Sequence, residues 1–339
     1  MNKKNLSVLN LKNKKKSNKK ISEIYAIFKK NLNHIKKNNF IVGVSGGPDS
    51  LALAALSKKY EQEKQAKVYY VLVDHGLRKN SATEALKVKK LLKSHKIPLT
   101  ILTNKKNFNN NIQGKAREIR YKFLLEFCKK KNIKHILTGH HSDDQIETFL
   151  IRLSRGSGVQ GLSSMRSISK LNKKITLSRP FLDLRKLDLT YVAKKTFGTI
   201  FKDPSNLDKK YLRTRIRQLK SSLEKSGVHH EQILKSIKNL ASTSNTLNNY
   251  INKIYLSNVK KKKKKIIINC KNIFLETEEI QLKILSQALK NFSNSYYPPR
   301  SKKVINLLNS IRLKNKKKLT LFGCIIEKTS NYIIISKEA

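Results

Sequence analysis

The chain has 339 residues, a length for about two domains, and its 38% hydrophobic and 28% charged residues suit a globular protein with a sizeable core. Its 74 Lys and Arg against 22 Asp and Glu leave a net charge of +52. No neutral small substrate requires such a field, whereas a polyphosphate such as nucleic acid does. A lysine-rich composition accounts for part of the excess, and the remainder favours RNA or DNA over membrane or protein partners. Cys128, Cys270 and Cys324 form no C-x-x-C pair, which excludes a disulfide scaffold and a cysteine-based zinc site and fits a reducing cytoplasm. No stretch approaches the roughly 18 apolar residues of a membrane span. Residues 1–20, with lysines, no acid and no apolar centre, read as a disordered basic tail.

From Asn39 to about Thr148, short apolar runs alternate with longer helical stretches. Strands are predicted over 40–44, 68–73, 99–102 and 136–138. Helices are predicted over 51–60, from Ser81 to about His95, over 113–130 and from Ser142. Ser81 with Glu84 reads as a capping box. Strands without period-two alternation, each followed by a helix, predict an α/β fold: a parallel sheet with helices on both faces. Ligands of such sheets bind beyond the carboxyl ends of the strands, where Ser45 to Ser50, Asp74-His75 and Gly139 to Asp144 stand. After Pro204 the pattern changes to long basic helices over 209–256, then six lysines from Lys260 to Lys265. Helices over 278–292 and 302–313 and strands over 320–326 and 332–335 follow. The boundary is placed near Ser221, dividing a catalytic domain (21–221) from a basic, helical then α+β C-terminal region (222–339).

Ser45-Gly46-Gly47-Pro48-Asp49-Ser50 joins a strand to a helix. Glycines let the backbone approach an anion, and the helix start offers unpaired N–H groups. No Lys follows the glycines, so this is not the G-x-x-x-x-G-K-[ST] loop. Asp49 beside bound phosphates would be repulsive unless a hard cation such as Mg²⁺ lay between them; a plain helix-start Asp is the alternative. The string resembles the S-G-G-x-D-S signature of the ATP pyrophosphatases, which cleave ATP to AMP and pyrophosphate.

Thr138 to Thr148 also runs from a strand end into a helix. Asp144 and Glu147, three apart, and Asp143 and Glu147, four apart, share a helix face. Concentrated acid at a strand end of so basic a chain points to a cation, Mg²⁺ or an ammonium. His140 and His141 lack the further ligand that zinc would need. Downstream, Arg152, Arg155 and Gly156-Ser157-Gly158 read either as a loop near phosphates or as a plain helix stop.

Taken together, these strings resemble the tRNA(Ile)-lysidine synthetases of the PP-loop superfamily. The similarity runs through the phosphate loop, Val73 to Arg78, Gln113 to Arg117 with Arg120-Tyr121, and Thr138 to Thr148. It continues through Arg155 to Gly158, Gly161-Leu162, Arg179-Pro180, Asp203 to Asn206, Asp208, and Arg213 to Arg217. Gly114 stands where the family has Ala or a similar residue. The last hundred residues match only loosely, at Leu321 to Cys324. The resemblance implies ATP-dependent ligation of free L-lysine to the wobble cytidine of the CAU-anticodon isoleucine tRNA. The cytosine oxygen would be adenylated first, and the lysine amine would then displace AMP.

On that reading Ser45, Gly46, Gly47, Pro48, Asp49, Ser50, Asp74, His75, Arg117, Gly139 and His140 bind ATP. Asp49 and Asp144 hold Mg²⁺, and Asp49, Asp144 and Glu147 are catalytic. Asp144 and Glu147 receive lysine, and Glu147 takes its proton. Arg155, Arg213, Arg215 and Arg217 contact tRNA. A cytoplasmic enzyme without membrane contact is expected, and a homodimer is left open. Competing readings are a tRNA base thiolase, against which the absence of C-x-x-C counts, and an amide-forming synthetase, for which no N-terminal nucleophilic cysteine appears. A non-enzymatic RNA-binding protein would leave the acidic cluster unexplained.

Overall fold

The computed structural model describes residues 19–35, 39–76, 80–104, 112–172, 174–201, 210, 212–293, 295, 298–313 and 318–338. The tail expected over 1–20 therefore lies outside the described residues up to position 18, and its last two residues already begin a helix, α1 (19–31). Leu77-Arg78 and the 203–208 motif also lie outside them. The chain divides into two compact units, 1–239 and 240–339.

In the first unit the expected alternation is present: β1 (Asn39–Val44), α2 (Pro48–Lys64), β2 (Lys67–Asp74), α3 (Ser81–Ser94), β3 (Leu99–Thr103), α4 (Ile112–Lys131), β4 (His135–Leu137) and α5 (Ser142–Leu153). There follow α6 (Val159–Leu162), β5 (Ile168–Lys170), β6 (Thr176–Ser178), α7 (Lys186–Phe197), α8 (Leu212–Gln218), α9 (Lys220–Lys225) and α10 (His230–Asn258), whose later part enters the second unit. The sheet order is β3-β2-β1-β4-β6-β5. β1 pairs in parallel with β2, Phe40 opposite Val68, and with β4, Ile41 opposite Ile136. Edge strand β5 runs antiparallel to β6, an addition the sequence pattern did not signal.

Both faces of the sheet are covered, which is why its strands are apolar without alternation. Phe40, Val42 and Val44 of β1 and Val68, Tyr70 and Leu72 of β2 enter a core with Leu51, Leu53 and Leu56 of α2 and Leu189 and Val192 of α7. Ile41 and Val71 face the other way, toward Leu124 and Cys128 of α4. Chain order reverses at β1, with β2 on one side and β4 on the other, so the β1 and β4 loops flank one crevice.

The capping box expected at Ser81 is not formed. Ser81 already lies inside α3, and Asn80 stands at the cap without a side-chain cap bond.

The second unit is a five-stranded antiparallel sheet of order β7-β8-β11-β10-β9. Its strands are β7 (Val259–Lys261), β8 (Lys265–Asn269), β9 (Lys318–Leu321), β10 (Cys324–Lys328) and β11 (Tyr332–Lys337). Ile266, Ile268, Ile326, Ile333 and Ile335 pack with the apolar faces of α12 (Glu278–Ser293) and α13 (Ser301–Leu313), and the short α11 (Cys270–Ile273) adds Ile273. The strand expected over 320–326 is two strands, because Phe322 (φ 61) and Gly323 (φ 70) make a turn with both central residues in the left-handed region. The lysine run forms the β7–β8 hairpin, and all six of its lysines are exposed.

Candidate active site

β1 ends at Val44, and the chain turns through Ser45, Gly46 and Gly47 into α2. Gly46 has φ +85, and a Cβ there would lie 2.7 Å from Val88 Cγ2. The turn is tied by Ser50: its Oγ accepts from Ser45 N at 3.0 Å and donates to Gly47 O at 3.0 Å. Pro48 occupies the first turn, where its missing N–H is no loss, and Gly47 offers no side-chain cap. The helix start is thus left with donors suited to an anion.

The loop after β4 crosses this first turn closely. A Cβ on Gly139 would meet Asp49 O at 2.8 Å and Asp49 C at 2.9 Å, so only glycine allows the two loops to touch. A cleft of about 200 Å³ opens at this crossing, lined by Ser45, Asp49, Ser50, Thr138, Gly139, His140 and Asp144. Val71, Val73, Tyr121 and Leu124 supply its apolar side, and Arg120 and Arg213 its cations.

His141 sits beneath the acids, 1% exposed. Its Nε2 is 3.5 Å from Asp49 Oδ2 and 3.4 Å from Asp144 Oδ2, and its Nδ1 is 3.7 Å from Asp143 Oδ2. Burial alone would lower its pKa, but the hydrogen bond to Asp49 and the charges of Asp144, Asp49 and Asp143 carry it above the ordinary histidine value. His140 goes the other way: burial, then the arginines led by Arg179, hold it well below that value. Its Nδ1 lies 2.9 Å from Thr138 Oγ1. Asp49 Oδ1 is buried and has no hydrogen-bond partner among the described residues.

Asp144 and Glu147 share one face of α5, as their spacing predicts, and both meet arginines of α8. Arg213 donates through Nε to Glu147 Oε2 at 2.6 Å and through Nη2 to Asp144 Oδ1 at 3.1 Å. Arg217 Nε lies 2.5 Å from Glu147 Oε1. Arg215, two residues from each, is exposed, because positions four apart share a helix face and the one between them does not. Asp143 is engaged elsewhere: it accepts from Lys186 N at 2.9 Å and Lys220 Nζ at 2.8 Å. Burial would raise its pKa, but these bonds and the Lys220 charge bring it down to about 2.

The remaining expected residues are spread more widely. Asp74 is buried, and its Oδ1 accepts from Gly76 N at 3.0 Å, an Asx-type turn that shapes the end of β2. His75 Nε2 is 3.5 Å from Arg120 Nη2. Burial, then the Arg120 charge, lowers the His75 pKa to about 4. Neither Asp74 nor His75 is among the cleft-lining residues, nor is Arg117, whose guanidinium lies 5.0 Å from the Tyr121 ring centroid. Arg120, one turn along α4, lines the cleft instead. The three-residue spacing of Arg117 and Arg120 was the available signal, and it did not say which of them faces the sheet. Arg155 is exposed beyond α5, whereas Arg152 donates to Gly161 O at 2.6 Å and Ser164 O at 2.9 Å, the arrangement of a helix stop.

A family model described as a PP-loop domain matches residues 14–222. A tRNA(Ile)-lysidine synthase of Wolbachia pipientis wMel is 35% identical over 307 residues, 89% of this chain and 71% of the relative. One from Orientia tsutsugamushi (strain Boryong) is 33% identical over 307 residues, 88% and 69%. Another, from Rhodopseudomonas palustris, is 31% identical over 311 residues, 87% and 89%. Among solved structures, the U34-tRNA thiolase NcsA from Methanococcus maripaludis with its [4Fe-4S] cluster aligns with a TM-score of 0.55 and 20% identity, covering 66% of this chain and 80% of that one. That likeness speaks for the fold alone. The sequence relatives run through both units at this identity, and the chain belongs to the tRNA(Ile)-lysidine synthase family.

Proposed function

We propose that this enzyme joins free L-lysine to the wobble cytidine of the CAU-anticodon isoleucine tRNA, using ATP and releasing AMP and pyrophosphate. One juxtaposition carries the reading in the structure: the anion-receiving turn of β1 and the acids of α5 meet across Gly139, in a chain of the lysidine synthase family. In the first step the cytosine carbonyl oxygen bonds to the α-phosphorus of ATP, and the bond to pyrophosphate breaks. In the second, the ε-nitrogen of lysine bonds to the activated ring carbon, AMP leaves with the former carbonyl oxygen, and lysine's surplus proton is released.

The Ser45–Ser50 turn binds the triphosphate through backbone and hydroxyl donors, which is positional and electrostatic catalysis. Asp49 fits a Mg²⁺ ligand, because its Oδ1 is buried, unpartnered and at the cleft, with Asp144 completing the pair. Two carboxylates together with substrate phosphates are an ordinary Mg²⁺ environment; the ion would neutralise the departing pyrophosphate. The apolar side formed by Val71, Val73, Tyr121 and Leu124 suits the adenine base.

Lysine enters protonated, and removing its proton at neutral pH costs roughly 4 to 5 kcal/mol for a free pKa near 10.4. Glu147 receives the ammonium and accepts the proton. The two guanidinium groups now on Glu147 stand where that ammonium belongs, so lysine takes the place of one of them. The exposed Arg155 and Arg215 and the lysine-rich second unit provide phosphate contacts for tRNA, whose anticodon bases are unstacked and can be splayed into a pocket.

The thiolase reading draws on the shared fold, but the cysteines speak against it. Cys128, Cys270 and Cys324 are all buried. Burial pushes the Cys128 thiol up to about 12, which disfavours a thiolate nucleophile there at neutral pH. The test is stoichiometry. With tRNA, ATP and lysine present, AMP and pyrophosphate should form one for one with lysine incorporated; AMP formation that depends on a sulfur donor and ignores lysine would overturn the proposal.

A further inference from the structure

His141 stands at the start of α5, and its backbone is tied down. It forms a parallel bridge with the fully buried Phe181, its N–H donates to Asp144 Oδ2 at 3.2 Å, and its carbonyl accepts from Gln145 N at 3.2 Å. Ser142, the next residue, donates from its N to Leu184 O at 2.9 Å. The imidazole itself is 1% exposed and set among three acids. Nδ1 faces Asp143 Oδ2 at 3.7 Å, and Asp143 is held in turn by Lys186 N and Lys220 Nζ. Nε2 stands between Asp49 Oδ2, at 3.5 Å, and Asp144 Oδ2, at 3.4 Å. These two acids belong to different elements, the first turn of α2 and the first turn of α5. Both line the cleft, and His141 does not: it lies behind them.

We infer that His141 is a positioning residue for the metal: through Nε2 it ties Asp49 to Asp144 at a fixed spacing, so that each acid keeps one oxygen on the imidazole and presents the other to the ion. The inference rests on the Mg²⁺ assignment of the proposed function. Two carboxylates brought together without a cation repel each other. Mg²⁺ accepts little departure from octahedral geometry, so ligands that must first be gathered and spaced bind it poorly. A nitrogen shared between the two acids fixes them before the ion arrives, which is what outer hydrogen bonds to ligating carboxylates do at metal sites. The oxygens divide accordingly. Asp49 turns Oδ2 to His141 and leaves Oδ1 buried and unpartnered among the described residues. Asp144 turns Oδ2 to His141 and leaves Oδ1 with Arg213 Nη2, 3.1 Å away.

The test uses two substitutions of different reach in the full-length enzyme. The amide nitrogen of Gln lies as many bonds from Cβ as Nε2 of histidine, whereas that of Asn falls one bond short. Asn is the better helix cap of the two. Mn²⁺ binding is read by EPR, without tRNA or turnover, in the presence of an ATP analogue with a methylene bridge between its α- and β-phosphorus. His141→Asn should weaken Mn²⁺ binding about ten- to a hundredfold, and His141→Gln should stay within about threefold of the parent. The melting temperatures should not follow that order, because Asn serves the helix start at least as well as Gln. Equal loss in both variants, no loss in either, or an affinity that follows the melting temperature would make His141 a plain helix cap and overturn the inference. Pulsed EPR of the parent complex supplies a second reading. A nitrogen bound directly to Mn²⁺ and lost in His141→Gln would make His141 a ligand and overturn it as well; no such nitrogen is expected. Parent enzyme that binds no Mn²⁺ beside the analogue is a different result: it removes the metal assignment, and the tie with it.

Discussion

Arg217 and Glu147 are bound side on: Nε lies 2.5 Å from Oε1, and Nη2 lies 3.1 Å from Oε2. Glu147 is 9% exposed at its side chain and Arg217 28%. An acid assigned to lysine and an arginine assigned to tRNA are thus partners in the enzyme without substrates. Their coupling in a double-mutant cycle with Glu147→Gln and Arg217→Gln, read from urea unfolding, should be about 1 to 3 kcal/mol. A coupling near zero would mean that the pair is not held in solution. Glu147→Gln should also lower kcat/KM for lysine at least about a hundredfold and leave pyrophosphate release with tRNA alone largely intact.

Asp49 carries the metal assignment. Asp49→Ala removes charge compensation where pyrophosphate leaves, so kcat should fall at least about a hundredfold, about 3 kcal/mol, with tRNA affinity almost unchanged. A first-turn Asp with only a structural role would cost about 1 kcal/mol of stability and leave turnover nearly intact. Pyrophosphate release at saturating tRNA and lysine, beside a melting curve, separates the two.

Gly139 holds the two loops together. Gly139→Ala places a methyl 2.8 Å from Asp49 O, so the first turn of α2 must shift, at a cost of about 1 to 3 kcal/mol. The ATP KM should rise more than tenfold while the lysine KM changes little. Unchanged ATP kinetics would show that the crossing of the two loops is not needed for the nucleotide site.

The fold was legible where burial dictates composition. β1 and β2 are apolar on both faces because a core lies on each side, and that pattern in the sequence is the mark of a parallel sheet. The turn of residues 45–50 and the acids at 143–147 stood out in the sequence because paired glycines before a helix and concentrated acid in so basic a chain are uncommon at strand ends. Side-chain direction was not. Arg213, Arg215 and Arg217 look alike as a string, and only the α8–α5 contact divides two of them from the third. β5 and β6 have three residues each, too few for a period. A cavity of about 370 Å³ is lined by α5 and by α7, α8, α9 and the start of α10, helices that begin 33 or more residues after α5 ends, a juxtaposition no local pattern carries.

His75 sets a pH dependence. Its folded pKa of about 4 lies below the unfolded value near 6.5, so between those values the unfolded chain binds the extra proton. Stability is therefore lost as pH falls through that window. His75→Gln should flatten that part of the urea-midpoint profile. An unchanged slope would show that His75 is not held neutral by its surroundings.

The net charge of +52 bears on tRNA. With six or more phosphate contacts, log K for tRNA should fall against log salt with a slope of about −4 or steeper, and ATP binding should be much less sensitive. A slope near −1 would restrict tRNA contact to the anticodon.

The measurement that bears most directly on the central claim is mass spectrometry of nuclease-digested isoleucine tRNA with a CAU anticodon, after incubation with the enzyme, ATP and isotope-labelled lysine. The account predicts one labelled lysine joined to the wobble cytidine of each modified tRNA, and none when that base is replaced by uridine or when ATP is withheld. An unmodified cytidine beside measurable ATP cleavage, or a sulfur-containing base in its place, would contradict it.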